Sequence, residues 1–232
     1  MLKPKDIMDC LPLLASVLGN QYGVTVEIGG SEAYTDDKTI HLPALPLDSE
    51  PELITMIKGY CDHESAHIRE TDFKILRKAK LTPFQHNLFN ILEDWRVEER
   101  LSARYPGCRE NFRCLIQKLF GAQKAGDTNP AFSILNTILL TVRSWSVDAI
   151  ILRRESVAKT MERHYPGLRK ALDGILDRIP ETASGIRWNW SRPSCNGVPN
   201  KQMPNKGEKK INPLQRILWI PPRFPWALWR VC

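Results

Sequence analysis

The chain has 232 residues, a length that suits one large domain or two small ones, and its 42% hydrophobic residues exclude a chain that is disordered throughout. The formal net charge of +7 at pH 7 would suggest a nucleic-acid partner, but the charge is uneven. Residues 1–184 hold 24 Lys and Arg against 25 Asp and Glu, whereas residues 185–232 hold nine against one. The first 184 residues are therefore close to neutral, and a nucleic-acid partner is not expected for them.

The six cysteines are scattered and form no C-x-x-C pair, which argues against a zinc knuckle and favours reduced thiols. The apolar stretch over 11–18 is short and contains Pro12, so no secretory signal is expected. The longest apolar segment, residues 131–152, is interrupted by Arg143 and Asp148 and suits a buried helix better than a membrane span. These features together predict a cytoplasmic protein without a membrane-spanning helix.

Hydrophobic periodicity predicts a mostly helical α+β fold with a small N-terminal sheet. A helix over 5–18 is followed by two alternating segments, 24–28 and 39–42, which predict a sheet of two or three strands. Helical patterns then continue to about residue 180, with Pro51 in the first turn of one helix and Thr82 as the N-cap of the next. The predicted helices after the one at Pro51 cover 82–104, 109–120, 130–143, 147–163 and 167–178.

The composition changes abruptly near residue 185, which predicts a helical domain over 1–184 and a separate basic tail over 185–232. The tail holds five of the seven Trp and seven of the 17 Pro residues. Residues 191–210 have no periodicity and are typical of a disordered linker. A membrane-surface or nucleic-acid patch and a partner-docking segment are alternatives for the tail, but we expect a disordered or degenerate remnant of a longer protein.

The strongest chemical signal is the H-E-x-x-H run from His63 to His67 inside a predicted helix. Two histidines four residues apart lie about 40° apart around a helix, so both imidazoles can reach one ion. Glu64 follows the first of them and is placed to act as a general base in hydrolysis. The alternative is a solvated helix face that carries two surface histidines. We favour a Zn²⁺ site with His63 and His67 as ligands and Glu64 as the catalytic residue.

A zinc site of this kind needs a third protein ligand, and the next helix offers several acids. Glu93 lies on one stripe of that helix, whereas Asp94 and Glu98 lie roughly 100–140° away, so one helix cannot direct both sets at one ion. We choose Glu93 as the ligand, with Asp94 second and Glu98 third. The alternative is that these acids form surface pairs with Arg96 and Arg100.

Other polar residues near these motifs are candidates for supporting roles. His86 and Asn90 share the Glu93 stripe and could support a ligand or face a substrate. Three acids close to the histidines could orient the imidazoles or simply be solvated, namely Asp62, Glu70 and Asp72. The strand that ends at Leu42 precedes the H-E-x-x-H helix, and in zincin-type peptidases an edge strand beside that helix can pair with an extended substrate.

Three segments of the chain together resemble the N-terminal region of CobT-type proteins. They are Ile40-His-Leu-Pro43, Asp62-His-Glu-Ser-Ala-His67 and Phe89-Asn-Ile-Leu-Glu-Asp-Trp-Arg-Val-Glu98. The family is named for a subunit of the aerobic cobaltochelatase of cobalamin biosynthesis. The resemblance implies a gluzincin-like region that covers about residues 35–115 well and 1–180 loosely.

Members of that family usually continue through an acidic linker into a von Willebrand factor A domain with a D-x-S-x-S motif. This chain contains no D-x-S-x-S, and its linker is basic. The resemblance also implies chelatase subunits and an AAA+ ATPase as partners. The chain itself has no G-x-x-x-x-G-K-[ST] loop, so a partner would have to supply ATP hydrolysis.

Two functions follow as expectations. The first is a zinc-dependent, metallopeptidase-like module in which Glu64 activates water for attack on a peptide. The second is non-enzymatic, a helical assembly subunit of a cobaltochelatase-like or AAA+/von Willebrand factor A complex that retains its metal for structure.

Overall fold

A computed structural model describes residues 4–36, 38–44, 49, 51–121, 130–183 and 229–231. This part of the chain is mostly helical with a small sheet, which confirms the predicted fold class. Its helices are α1 (Pro4–Gly19), α2 (Pro51–Glu70), α3 (Phe73–Lys78), α4 (Pro83–Arg104), α5 (Pro106–Gly121), α6 (Pro130–Ser144), α7 (Ile151–His164), α8 (Leu168–Leu176) and α9 (Arg178–Ala183). Its strands are β1 (Thr25–Ile28), β2 (Ala33–Thr35), β3 (Thr39–Leu42) and β4 (Trp229–Val231).

Local sequence signals define most of these helix ends. Thr82 caps α4 as predicted, because its hydroxyl accepts from the backbone N–H of Gln85 and the Gln85 side chain accepts from the backbone N–H of Thr82. Asp72 caps α3, a short helix that the periodicity did not predict. The helix predicted over 167–178 is divided into α8 and α9, since hydrophobic periodicity alone does not register a break of one residue.

The sheet has the strand order β1-β3-β2-β4. β3 pairs in parallel with β1 and antiparallel with β2, and β4 pairs in parallel with β2. The expectation that the strand ending at Leu42 is an edge strand was therefore wrong. That strand has neighbours on both sides, so its backbone groups already have partners and cannot receive a substrate strand.

The two largest of four apolar clusters hold much of the described part of the chain together. One lies where the sheet and α1 pack on α2, and it includes Leu11, Ile40 and Ile57. The other joins α4 and α5 to α6, α7 and α8, and it includes Trp95 and Leu140. A third cluster, which includes Ala66 and Val97, packs α2 against α4, the two helices that carry the candidate chemistry.

The tail that we expected over 185–232 lies outside the described residues, except for the three residues of β4. Within the part of the chain that the structure describes, no helix has both the length and the apolar character that crossing a membrane requires.

Candidate metal centre

The H-E-x-x-H residues lie in the buried half of α2. His63 and His67 are each 1% exposed and Glu64 is 2% exposed, so the alternative of a solvated helix face does not hold. The two imidazoles are one helical turn apart, and their Nε2 atoms lie 3.1 Å from each other. The motif therefore presents two nitrogen atoms to one point inside the protein, as its spacing predicted.

Asp94 of α4 completes this group. Its Oδ1 atom lies 3.3 Å from Nε2 of His67 and 3.9 Å from Nε2 of His63. Two ligand atoms on one tetrahedral zinc ion lie about 3.3 Å apart. The three atoms thus have nearly the mutual spacing of zinc ligands, and His63, His67 and Asp94 are a candidate metal-binding set among the described residues.

The hydrogen bonds behind the imidazoles determine which nitrogens carry protons. Nδ1 of His63 lies 2.7 Å from Oε1 of Glu98, and Arg143 donates to the other oxygen of that carboxylate at 2.6 Å. Nδ1 of His67 lies 3.0 Å from the hydroxyl of Thr71, which donates its only proton to Glu93. Both Nδ1 atoms are therefore assigned as donors, which leaves both Nε2 lone pairs directed at Asp94.

The third atom of the group is also an acceptor without a donor. Oδ1 of Asp94 is buried and accepts no hydrogen bond from any described residue. Two imidazole lone pairs and one carboxylate oxygen consequently meet at one buried point, which is unfavourable unless a proton or a cation lies among them. This donor set fits a metal ion such as Zn²⁺.

The charge of the cluster indicates a divalent ion. Apart from Glu93, whose charge Arg96 balances, three buried carboxylates, those of Glu64, Asp94 and Glu98, are opposed by one buried guanidinium, that of Arg143. With neutral imidazoles this leaves two uncompensated negative charges, which one divalent cation would neutralise. The same burial makes an uncompensated carboxylate unfavourable, and it raises the pKa of Glu64 to about 8.

The two histidines differ in how their surroundings affect protonation. Burial, followed by the charge of His67, holds the pKa of His63 well below its usual value. Burial also acts to lower the pKa of His67, but the nearby Asp94 carboxylate outweighs it and raises that pKa overall. A metal ion would therefore compete with a proton mainly at His67.

Glu93, which we predicted as the third ligand, does not face the two imidazoles. Its carboxylate accepts from Nε and Nη2 of Arg96 at 2.7 and 2.6 Å and from the Thr71 hydroxyl at 2.7 Å. Burial acts to raise the pKa of Glu93, but the bonds and charge of Arg96 lower it overall. Glu93 therefore supports His67 through Thr71, while Asp94, our second choice, faces the two Nε2 atoms.

The remaining candidates have other partners or no contact with the group. Asp62 is buried and accepts from Asn111 at 2.7 Å, and Glu70 pairs with Arg100 at 3.0 Å. Asp72 caps α3, so none of the three orients an imidazole. The side chain of Asn90, one turn before Asp94, has a buried Oδ1 that accepts no hydrogen bond within the described residues.

Sequence reasoning missed Thr71 and Arg143. Thr71 follows α2 directly and carries no motif. Arg143 is 1% exposed and lies near the C-terminal end of α6, inside the apolar segment 131–152, where its charge argued only against a membrane span. A single arginine in an apolar helix itself indicates a buried ion pair, because a buried guanidinium requires carboxylate partners.

Comparison with known proteins places the chain in a described protein family. The family described as "Cobalamin biosynthesis protein CobT" matches residues 5–131, more than half of the 232 residues. The matched stretch contains His63, Glu64, His67 and Asp94. No curated protein and no solved structure matches the chain.

Proposed function

The chain belongs to the CobT family, whose description connects it with cobalamin biosynthesis, and on that premise we propose that it is a zincin-like, zinc-dependent hydrolase module acting on peptides. His63, His67 and Asp94 would hold the ion, and Glu64 would be the general base. In this proposal Asp94 replaces Glu93 as the third protein ligand, so the module is not of the gluzincin type.

One observation carries the proposal. Oδ1 of Asp94 accepts no hydrogen bond from a described residue and faces two imidazole nitrogens whose other ring nitrogens are already committed as donors. Three protein ligands are the number that catalytic zinc sites use, because the fourth position stays available for chemistry. The H-E-x-x-H spacing adds a carboxyl group on the helix that supplies two of those ligands.

Each residue has a separate task in the reaction. When bound, a divalent ion supplies Lewis acidity toward water and toward the carbonyl of a substrate. The Glu64 carboxylate accepts the proton of the attacking water and returns it to the leaving amine. Glu98 and Thr71 hold the Nδ1 protons of the two imidazoles, and the rings thereby keep their orientation through the reaction.

A second candidate function is favoured by the burial of the site. His63, Glu64 and His67 are at most 2% exposed, and structural zinc sites are typically closed to solvent. In this alternative the ion links α2 to α4, and the chain is an assembly subunit of a cobaltochelatase-like or AAA+/von Willebrand factor A complex. Glu64 would then have no catalytic task.

Zinc content and proteolysis measured on the same purified full chain distinguish the two functions. The variants are Glu64→Gln, His63→Ala and, as a matched control on α2 outside the group, Glu70→Gln. We expect Glu64→Gln to keep one zinc ion per chain and to lose cleavage of a casein-type substrate by about 10²-fold or more. His63→Ala should lose both zinc and cleavage, and Glu70→Gln should lose neither.

The remaining outcomes are equally decisive. Zinc in the wild type without cleavage, together with a lower thermal midpoint after chelation, would favour the assembly subunit. A wild-type chain that binds no zinc, Co²⁺ or Mn²⁺ would contradict both functions.

A further inference from the structure

Among the residues that the structure describes, Arg143 is the most buried charged side chain that the proposed reaction does not use. Its side chain is 1% exposed, and it lies beyond the stretch that matches the family, on α6. A guanidinium cannot coordinate a cation, and its positive charge opposes one. Its place beside a metal-binding group therefore needs an explanation other than ligation.

The contacts of Arg143 supply that explanation. Nη2 donates to Oδ2 of Asp94 at 3.0 Å, and Nη1 donates to Oε2 of Glu98 at 2.6 Å. Asp94 and Glu98 lie on successive turns of α4, and the planar fork of one arginine spans both. Without this fork, two carboxylates of like charge would face each other in a buried space.

Each of these bonds determines what the second oxygen of the carboxylate can do. Since Oδ2 of Asp94 is held by Arg143, Oδ1 is the oxygen that faces His63 and His67. Since Oε2 of Glu98 is held in the same way, Oε1 is the oxygen that accepts from Nδ1 of His63. One guanidinium thereby orients a ligand oxygen and, through Glu98, a ligand nitrogen.

We propose that Arg143 is a positioning residue for the metal centre, which makes α6 a required part of a site otherwise built from α2 and α4. This inference rests on the proposed metal site and deepens it. Arg143 acts by keeping Oδ1 of Asp94 directed toward the two imidazoles and, through Glu98, by keeping the proton of His63 on Nδ1. A lysine keeps the charge, but its three donors share one nitrogen and cannot reproduce two bonds that leave two nitrogens of a fixed planar fork.

The test compares Arg143→Lys with the wild type and with Arg169→Lys. Arg169 lies on α8 and donates to both oxygens of Glu155, away from the centre, so its replacement by lysine is a matched control. Zinc affinity is measured by competition with a chromophoric chelator, and the visible absorption of bound Co²⁺ reports the coordination geometry. We expect Arg143→Lys to bind zinc about 10- to 100-fold more weakly and to change the Co²⁺ spectrum, with Arg169→Lys unchanged.

The outcomes separate this inference from the function on which it rests. If the wild type binds zinc and Arg143→Lys binds within about threefold of it, or binds more weakly with a wild-type Co²⁺ spectrum at saturation, the positioning role is overturned and the metal site stands. If the wild type binds no metal, the proposed function itself fails.

Circular dichroism of the metal-free variants shows whether they are folded. If Arg143→Lys does not fold, Arg143→Gln provides a neutral side chain with amide donors for the same titration. Should neither fold, the nitrogen-15 resonances of the Arg143 guanidinium in the wild type provide the measurement. They should shift when zinc is added, and their failure to shift would overturn the proposal.

Discussion

Oδ1 of Asp94, on α4, lies 3.3 Å from Nε2 of His67, on α2, and no described residue donates a hydrogen bond to it. The first atom is a hydrogen-bond acceptor. The second belongs to a ring whose other nitrogen, Nδ1, donates to the Thr71 hydroxyl. Two acceptor atoms with no proton between them are unfavourable at this distance in a buried space. The pair therefore defines the point where a cation is needed.

Asp94→Asn and Glu93→Gln should affect zinc binding unequally. Asp94→Asn removes the negative charge and leaves one oxygen where Arg143 and the ion each need one, so it should weaken binding by more than the 10- to 100-fold that outer groups typically cost. Glu93→Gln should weaken it by about tenfold at most, since Glu93 acts only through Thr71 and His67. Competition titration of both variants measures the difference. A larger loss in Glu93→Gln would restore the choice made from the sequence.

Removal of the metal should lower the thermal stability of the chain. An ion that binds only the folded state at about 1,000 times its dissociation constant contributes about 4 kcal/mol to stability. For a chain of this size, chelation should therefore lower the thermal midpoint by on the order of 10 °C. Scanning calorimetry with and without a chelator measures the shift. His63→Ala should show no such response, and a chelator effect of equal size in that variant would contradict a metal at this site.

The buried cysteines should resist thiol reagents in the folded protein. Burial raises the pKa of Cys61 and of Cys108 to about 12, so very little of the reactive thiolate forms at pH 8. Cys10 is exposed and should be labelled first. Peptide mapping after brief alkylation gives the order, and labelling in denaturant gives the control in which all three react. Early labelling of Cys61 would show that α2 is more open than described.

Two glycine substitutions should change stability in opposite directions. A Cβ at Gly59 of α2 would lie 3.0 Å from the carbonyl oxygen of Asn111 and 3.1 Å from Cβ of Leu115, both on α5. Gly59→Ala should therefore lower the free energy of unfolding by about 1–2 kcal/mol, because overpacking outweighs the gain in helix propensity. A Cβ at Gly174 meets no atom within 4 Å, so Gly174→Ala should raise it by up to about 1 kcal/mol. Urea denaturation measures both, and equal stabilisation in the two variants would show that α2 and α5 can separate.

Local sequence rules predicted much of the frame that carries the site. Thr82 was recognised as the N-cap of α4 because its interactions are confined to the next helical turn. The H-E-x-x-H spacing likewise predicted that His63 and His67 would share a helix face. The strand at Ile40 was also predicted, but its place between β1 and β2 was not, because the order of strands depends on contacts between distant segments.

By itself, the sequence determined that two imidazoles meet on α2 and that Glu93 and Asp94 face different directions on α4, since both statements need only the period of one helix. The tertiary structure decided which acid completes the group, because that depends on how α4 is rotated about its axis when it packs on α2. It also decided that Arg143, which is 49 residues beyond Asp94, holds the chosen carboxylate. Helical period fixes the angles between side chains on one helix, whereas only packing fixes which of them face a neighbouring helix.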